Sequence, residues 1–337
     1  MKLLRNLLFP FSLLYGGITA FRNYFYDKGW FESKRYDLPV VCVGNLSTGG
    51  TGKSPMIEFL IDFLKVDYRV AVLSRGYKRK TSGFKEVLSN STAEEVGDEP
   101  LQFKQNFPNI RVAVCTNRQE GIEKLKAKAD VILLDDAFQH RRVNASLNIL
   151  LTPFNDLYIK DYPLPAGNLR EFRCGAKRAD IIMVTKCPDG VPYAEMQTIQ
   201  FELKPNELQK VYFSKIGYEE TIYGPSETLS LQYLQDKPFT LVTGIANPKP
   251  LVEFLKSKDF KFTHDKFPDH HNFSESEVSK LKKNEIILTT EKDYMRLQPK
   301  LGKFAVYYLP IKTLILRDQE EFFKSTILES LKKTRLN

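Results

Sequence analysis

Between Val41 and Pro55 the chain reads VCVGNLSTGGTGKSP, and the octet Ser47-Thr48-Gly49-Gly50-Thr51-Gly52-Lys53-Ser54 carries the residue types that hold a polyphosphate. Small residues let consecutive backbone N–H groups turn toward one anion. Lys53 supplies a cation for the β- and γ-phosphates of a nucleotide, and Ser54 a hydroxyl for the magnesium ion that accompanies them. The apolar run before the octet reads as a buried strand. SPMIEFLIDFL after it reads as a helix whose positive end faces the anion, with Pro55 in the first turn where no N–H is needed. A strict phosphate loop begins with glycine, and Ser47 stands at that place. In the K-G-G-x-G-K-[ST] variant Thr48 takes the place of the signature lysine, so no cation is offered to a partner's nucleotide.

A second acidic centre follows in VILLDDAFQH, where four apolar residues deliver Asp135 and Asp136 to a strand tip, the arrangement that carries a metal-binding carboxylate. Which aspartate is the main ligand stays open. EEVGDEPLQF sets Asp98 and Glu99 after a glycine, and Asp98 there is either a functional acid or a helix N-cap. SRGYKRK puts Arg75 and Tyr77 at a strand end, and FQHRR adds Gln139, His140, Arg141 and Arg142. PAGNLRE offers Arg170 and Glu171, and FPDHHNF offers Asp269, His270 and His271. His140 and His271 are each either a substrate contact or a histidine satisfied by its own loop. Asp293, in TTEKD, either holds a loop or touches nucleotide.

These motifs need elements to carry them. LPVVCVGNL, YRVAVLSRG, NIRVAVCTN, ADVILLDDA, SLNILLTP and ADIIMVTK are apolar runs separated by helical stretches, the pattern of a parallel sheet covered on both faces. In such sheets ligands sit at the carboxyl ends of the strands, where the motifs of this half begin. Around residues 200–225 the rhythm changes: QKVYFSKIGYEETIY reads as an extended ribbon, and a second αβ pattern starts at PFTLVTGIANP.

The chain has 337 residues, 50 Lys+Arg against 41 Asp+Glu, and a net charge of +9, a balance that suits an anionic partner. Cys42, Cys115, Cys174 and Cys187 are scattered without a C-x-x-C pair, which fits reduced core or near-core thiols and neither a disulfide framework nor a zinc site. Leu7 to Phe21 carries no charge but is too short to span a bilayer comfortably. Pro10 breaks a helix near its start, and beyond it Phe11, Leu14, Tyr15, Ile18, Phe21 and Phe25 form an apolar stripe at helical spacing, flanked by cations and by Tyr24, Tyr26 and Trp30. Such a stripe suits a helix lying in a membrane interface. The alternatives are a helix packed on the protein's own core and a secretory signal ending near Ile18-Thr19-Ala20.

Taken together, VGNLSTGGTGKSP, SRGY, GDEP, DDAFQHRR, PAGNLRE, FPDHH and TTEKD, in this order, resemble the tetraacyldisaccharide 4'-kinase family, which phosphorylates a lipid A precursor. The family more often reads Gly at Ala137 and Thr at Ser54; a serine at the first-glycine place is usual for it. The resemblance implies an α/β fold: a P-loop NTPase-like parallel-sheet domain, a second smaller α/β domain joined by a β-ribbon, and an N-terminal membrane-associated helix. On this chain the expected divisions are 1–35 for that helix, 36–210 for the nucleotide-binding kinase domain, and 211–337 for a smaller domain closing over the active-site cleft. It implies transfer of the ATP γ-phosphate to the 4'-hydroxyl of tetraacyldisaccharide 1-phosphate. Asp98 would be the base, paired with His270; Lys53, Arg170 and Mg²⁺ would neutralise charge; Ser54, Asp136 and Glu171 would order the metal. Arg75, Tyr77, Arg118, His140 and Arg141 are candidates for the substrate, although Arg118 also reads as an exposed helix residue. The implied setting is a monomer, peripheral on the cytoplasmic face of the inner membrane, with a lipid partner and no nucleic acid.

The rival reading is a P-loop GTPase or ATPase of the metal-insertion or protein-targeting type. VTKCPD is faintly similar to the guanine-reading N-K-x-D motif, but the Asn is absent and an extra residue intervenes. A membrane-tethered nucleotide-binding scaffold without catalysis is the third reading.

Overall fold

The structure is a computed structural model that describes residues 5, 7–269 and 271–336. The chain forms two compact units, one holding residues up to Ile216 and again from Thr313, the other Gly217–Lys312. The first eight strands are β1 (Val40–Asn45), β2 (Val70–Ser74), β3 (Lys85–Glu86), β4 (Arg111–Val114), β5 (Val131–Asp135), β6 (Leu147–Pro153), β7 (Ile181–Thr185) and β8 (Lys210–Tyr218). They are followed by β9 (Thr221–Tyr223), β10 (Thr228–Ser230), β11 (Phe239–Thr243), β12 (Phe262–Lys266), β13 (Ile287–Thr290), β14 (Val306–Leu309) and β15 (Ile311–Ile315). The main helices are α1 (Phe9–Asp27), α2 (Lys53–Leu64), α3 (Ala93–Val96), α4 (Asp98–Asn106), α5 (Arg118–Leu125), α6 (Tyr193–Leu203), α7 (Lys249–Ser257), α8 (Glu275–Leu281), α9 (Glu291–Leu301) and α10 (Glu320–Leu336).

The larger sheet runs β15-β8-β7-β6-β1-β5-β2-β4-β3. Strand β1 pairs in parallel with both β5 and β6, and β2, β4, β7 and β8 continue the parallel pairing outward. Every residue of β1 is buried because both faces of the sheet are covered. Val41 and Val43 pack on Met56, Ile57, Leu60 and Ile61 of α2, while Val40 and Cys42 point into a second core with Leu134, Ile182 and Phe213. This alternation is the period-two signature of a strand, made apolar on both sides. Strands β2, β4 and β5 lie on one side of β1, and β6, β7 and β8 on the other. The loop after β1 therefore opens at the switch point where such sheets bind ligands.

Two expectations need correction. The chain's tail, expected within a domain spanning 211–337, belongs to the first unit from Thr313 onward. Phe323, Ile327 and Leu331 of α10 are fully buried in the core shared with α2, and the Phe323 ring meets Tyr212 at 5.2 Å. An amphipathic helix docks where its apolar face is matched, and chain order does not constrain that choice. Second, Cys174 is exposed, whereas Cys42, Cys115 and Cys187 are buried.

Helix α1 carries Pro10 in its first turn, where the missing N–H costs nothing. Its buried residues are Ser12 and Gly16, and the large apolar residues Phe11, Leu14, Ile18 and Phe21 are each more than 60% exposed. Tyr15, expected on the apolar stripe, instead points inward and donates its hydroxyl to the Arg170 carbonyl at 3.0 Å. A Cβ on Gly16 would lie 2.4 Å from the Phe172 ring, so only glycine permits this approach. Among the described residues no helix is long and apolar enough to cross a membrane.

The second unit has a six-stranded sheet, β10-β9-β14-β13-β11-β12, in which β11 pairs in parallel with β12 and β13. Its core is built from Leu241, Leu288, Leu251 and Leu255 on one face and Val242, Ile287, Leu297 and Phe273 on the other.

Candidate active site

The octet folds as a tight loop between β1 and α2. Gly49 and Gly52 take positive φ values of 116° and 91°, and Gly52 caps α2 in the left-handed conformation. Side chains other than glycine are strained there, which explains why these positions must be glycine. The loop is held from one side by the PAGNLRE segment: Thr48 N–H donates to the Asn168 carbonyl at 2.8 Å, and Arg170 N–H to the Leu46 carbonyl at 2.7 Å. Ser47 is buried and forms an isolated bridge with Leu169.

Lys53 reaches from the first turn of α2 toward Asp136 Oδ1 at 3.6 Å and Asn45 Oδ1 at 3.2 Å. Asp136 also accepts two contacts from Arg170 Nη1, at 2.9 and 3.0 Å, and adopts φ 47°, a left-handed conformation uncommon outside glycine. Asp135 is buried and accepts from Ser74 Oγ at 2.9 Å, while its Oδ1 has no hydrogen-bond partner among the described residues. Burial, then the neighbouring Glu99 and Asp136 carboxylates, push its carboxyl up to about 7. Buried like charges resist joint ionisation, and a cation is the partner such a group lacks.

The sequence reading did not give Glu99 a role, yet it accepts the Ser54 hydroxyl at 2.9 Å. Only its place in GDEP, next to Asp98, could have pointed to it. Asp98 is the first residue of α4 and is exposed; Gly97 is the N-cap, so the capping alternative for Asp98 does not hold. Gly97 (φ 93°) lets this turn approach the SRGY turn, since a Cβ there would lie 3.1 Å from the Tyr77 carbonyl. Arg75 and Tyr77 are both exposed beside it.

Glu171, expected to order the metal, has both oxygens committed elsewhere. Oε2 accepts from Asn23 of α1 at 2.6 Å, and Oε1 from Arg178 at 2.8 Å and Gln139 at 3.1 Å. That arrangement makes it a brace between α1 and the PAGNLRE segment. Arg118 is neither an exposed helix residue nor free to reach a substrate. It is 2% exposed and donates to the Cys115 and Asp135 carbonyls at 2.6 and 3.0 Å, fixing the ends of β4 and β5. Arg141 pairs with Asp27 at 2.8 Å, donates to the Asn23 carbonyl at 2.9 Å and lies over the Tyr26 ring, which ties the DDAFQHRR loop to the end of α1. His140 is half-buried, and its Nε2 has no hydrogen-bond partner among the described residues. Burial and the cations Arg118, Arg142, Arg75 and Arg22 push it down to about 4, so the ring is neutral at pH 7.

In the second unit His271 is satisfied locally, with Nε2 3.0 Å from Glu277 and its ring stacked on Phe267. Asp293 is fully buried and accepts from Gly244 N–H and Thr290 Oγ1, which makes it a loop holder. His270, expected beside Asp98, lies outside the described residues.

A glycine loop at a sheet switch point, a lysine and serine opening the next helix, and a buried aspartate at the neighbouring strand tip define a P-loop nucleotide-binding protein of the α/β class. Comparison with known proteins narrows this further. The chain belongs to the tetraacyldisaccharide-1-P 4'-kinase (LpxK) family, whose family model matches residues 4–332. A tetraacyldisaccharide 4'-kinase of Flavobacterium johnsoniae is 48% identical across 99% of both chains. One of Parabacteroides distasonis is 43% identical over 97% of this chain and 94% of its own. A crystal structure of LpxK from Aquifex aeolicus in complex with ATP matches with a TM-score of 0.78 at 34% identity, covering 97% of this chain and 99% of that one. The GTPase or ATPase alternative is not favoured by these relatives.

Proposed function

We propose that this chain transfers the γ-phosphate of ATP to the 4'-hydroxyl of tetraacyldisaccharide 1-phosphate, a step in lipid A biosynthesis. The family assignment supports the reaction, and the Ser47–Ser54 loop facing Asp135 and Asp136 is the observation that carries it. In this reading the loop's N–H groups and Lys53 hold the triphosphate, and Arg170, beside Asp136, adds positive charge as the phosphoryl group moves. Asp98 accepts the proton of the acceptor hydroxyl, with His270 as its partner. The new bond joins the 4'-oxygen to phosphorus, the bridge to the β-phosphate breaks, and ADP leaves.

The Ser54 hydroxyl meets the Glu99 carboxylate, and Asp135 Oδ1, without a hydrogen-bond partner among the described residues, offers a further oxygen, donors of the kind magnesium takes. Ser54, Glu99 and Asp135, with Asp136 close by, would hold it, and bound there it would neutralise charge on the β- and γ-phosphates. Few protein carboxylates are needed, because magnesium keeps waters and phosphate oxygens as its other ligands.

The outward apolar face of α1 supports a membrane-surface role. A four-chain lipid does not leave the bilayer cheaply, since each buried methylene contributes about 0.8 kcal/mol. The helix docks through Ser12, Gly16 and Asn23 and leaves Phe11, Leu14, Ile18 and Phe21 for lipid. In this reading the protein is a peripheral monomer on the cytoplasmic face of the inner membrane. The second unit, reached through β8 and left through β15, is in this reading the smaller, ribbon-joined domain. Arg75, Tyr77 and His140 remain our candidates for the substrate, the arginines around His140 suiting its 1-phosphate.

Incubation of the purified chain with radiolabelled ATP and tetraacyldisaccharide 1-phosphate tests the proposal. Label should move into the lipid only when both substrates are present. ATP hydrolysis indifferent to lipid would instead favour the rival hydrolase.

A further inference from the structure

We propose that Thr185 and Lys186, at the carboxyl end of β7, clamp the phosphate loop into its nucleotide-ready shape, which makes Lys186 a positioning residue for the phosphoryl donor. The inference rests on the reading of this loop as the ATP site.

Thr185 Oγ1 donates to the Thr51 carbonyl at 2.7 Å, and the Lys186 ammonium donates to the carbonyl of Gly50. Two successive loop carbonyls are therefore drawn toward β7. A trans peptide sets its C=O and N–H on opposite sides of the chain, so anchoring these carbonyls turns the N–H groups of Thr51 and Gly52 away from β7. Inward-turned consecutive N–H groups are what a phosphate loop needs. The Thr51 N–H rests on the Gly49 carbonyl at 3.1 Å, a local contact that a phosphate oxygen can replace. Gly52 then begins α2 in its left-handed conformation, with Thr185 3.7 Å from where a Cβ would stand.

The backbone of the clamp is unusual in the same sense as that of Asp136. Lys186 has φ 56°, a left-handed conformation that costs free energy for a lysine and persists only where the surroundings hold it. Here they do: Phe154 N–H donates to the Thr185 carbonyl at 2.8 Å, and Cys187 N–H to the Ser214 carbonyl at 3.0 Å. Left-handed residues thus end both β5 and β7, on opposite sides of β1. Asp136 faces Lys53 at one side of the loop, and Lys186 faces Gly50 at the other. The VTKCPD run, only faintly similar to a base-reading motif, gains a role as loop support.

The test uses the full chain in mixed lipid micelles, with steady-state kinetics for both substrates and direct titration of a fluorescent ATP analogue. Lys186→Met keeps an unbranched, flexible side chain one atom shorter and removes the donor. It should raise the ATP KM and the analogue Kd about tenfold, the size of one charge-assisted hydrogen bond, while the lipid KM stays unchanged. Lys186→Arg should recover most of the loss, and Thr185→Val should shift the same two constants by a smaller factor. An ATP KM and analogue Kd within twofold of the parent for Lys186→Met would overturn the clamp. So would a loss shared by both substrates and unrelieved by arginine, which marks a general folding defect. A parent chain that moves no phosphate to lipid would refute the functional reading instead, and the analogue titration of parent and variant would still decide the clamp.

Discussion

The Ser54 hydroxyl donates to Glu99 Oε1 across 2.9 Å, joining the helix that follows the phosphate loop to the helix that begins with Asp98. The contact links the end of the loop to which we assign the metal with the residue we assign as base, through two consecutive acids of one turn. Glu99→Gln keeps the shape and removes the charge. It should raise the magnesium concentration for half-maximal transfer by about tenfold or more, the usual scale for residues that support a metal site. A magnesium titration of the transfer rate checks this, and an unchanged midpoint would remove Glu99 from the site.

Asp98 is the first residue of its helix, with Gly97 at the N-cap, and lies exposed in the turn that also carries Glu99. Asp98→Asn should lower kcat by roughly 10²–10⁴, the range for a lost general base, with the ATP analogue Kd unaltered. A fall of less than tenfold would assign the base elsewhere.

Helix α1 separates docking from its apolar face, and the two can be tested apart. Replacing Phe11, Ile18 and Phe21 together by serine should sharply reduce binding to anionic vesicles, because each large apolar side chain contributes about 1.5–3 kcal/mol when buried. ATP binding should not change. Vesicle sedimentation read beside nucleotide titration checks both; equal loss of the two would mean that this face supports the fold.

The second unit carries a pH-sensitive contact. The Ser274 N–H and then His271 hold the Glu277 carboxyl down to about 2, against an ordinary 4.5. A depressed carboxyl contributes stability that is fully present above its unfolded value and is lost as pH falls through the folded one. Thermal melts should therefore lose stability between about pH 4.5 and 2. Glu277→Gln should flatten that part of the profile, and parallel curves for the two proteins would contradict the assignment.

The sequence made legible what is contiguous. The Gly49–Ser54 turn, the strand before it and the helix after it are local, and the strand ending at Asp135 is equally local. Contacts that join distant segments were not readable. Ser54 and Glu99 are 45 positions apart, and Asn23 and Glu171 are 148 apart, so no spacing rule pairs them. Arg118 looked like a surface cation because helix periodicity does not reveal that the ends of β4 and β5 close over it. The stripe on α1 was visible, but which face docks depended on Gly16 meeting Phe172. Phe323 returned to the first unit for the same reason: its matching surface is built from Phe59 and Tyr212, far back in the chain.

Phosphorus NMR of the lipid product tests the central claim most directly. After incubation with ATP, magnesium and tetraacyldisaccharide 1-phosphate, the account predicts a second phosphomonoester on the lipid, coupled to the proton at carbon 4' and absent with Asp98→Asn. Inorganic phosphate released with no new lipid resonance, or a new phosphate at any other carbon, would contradict it.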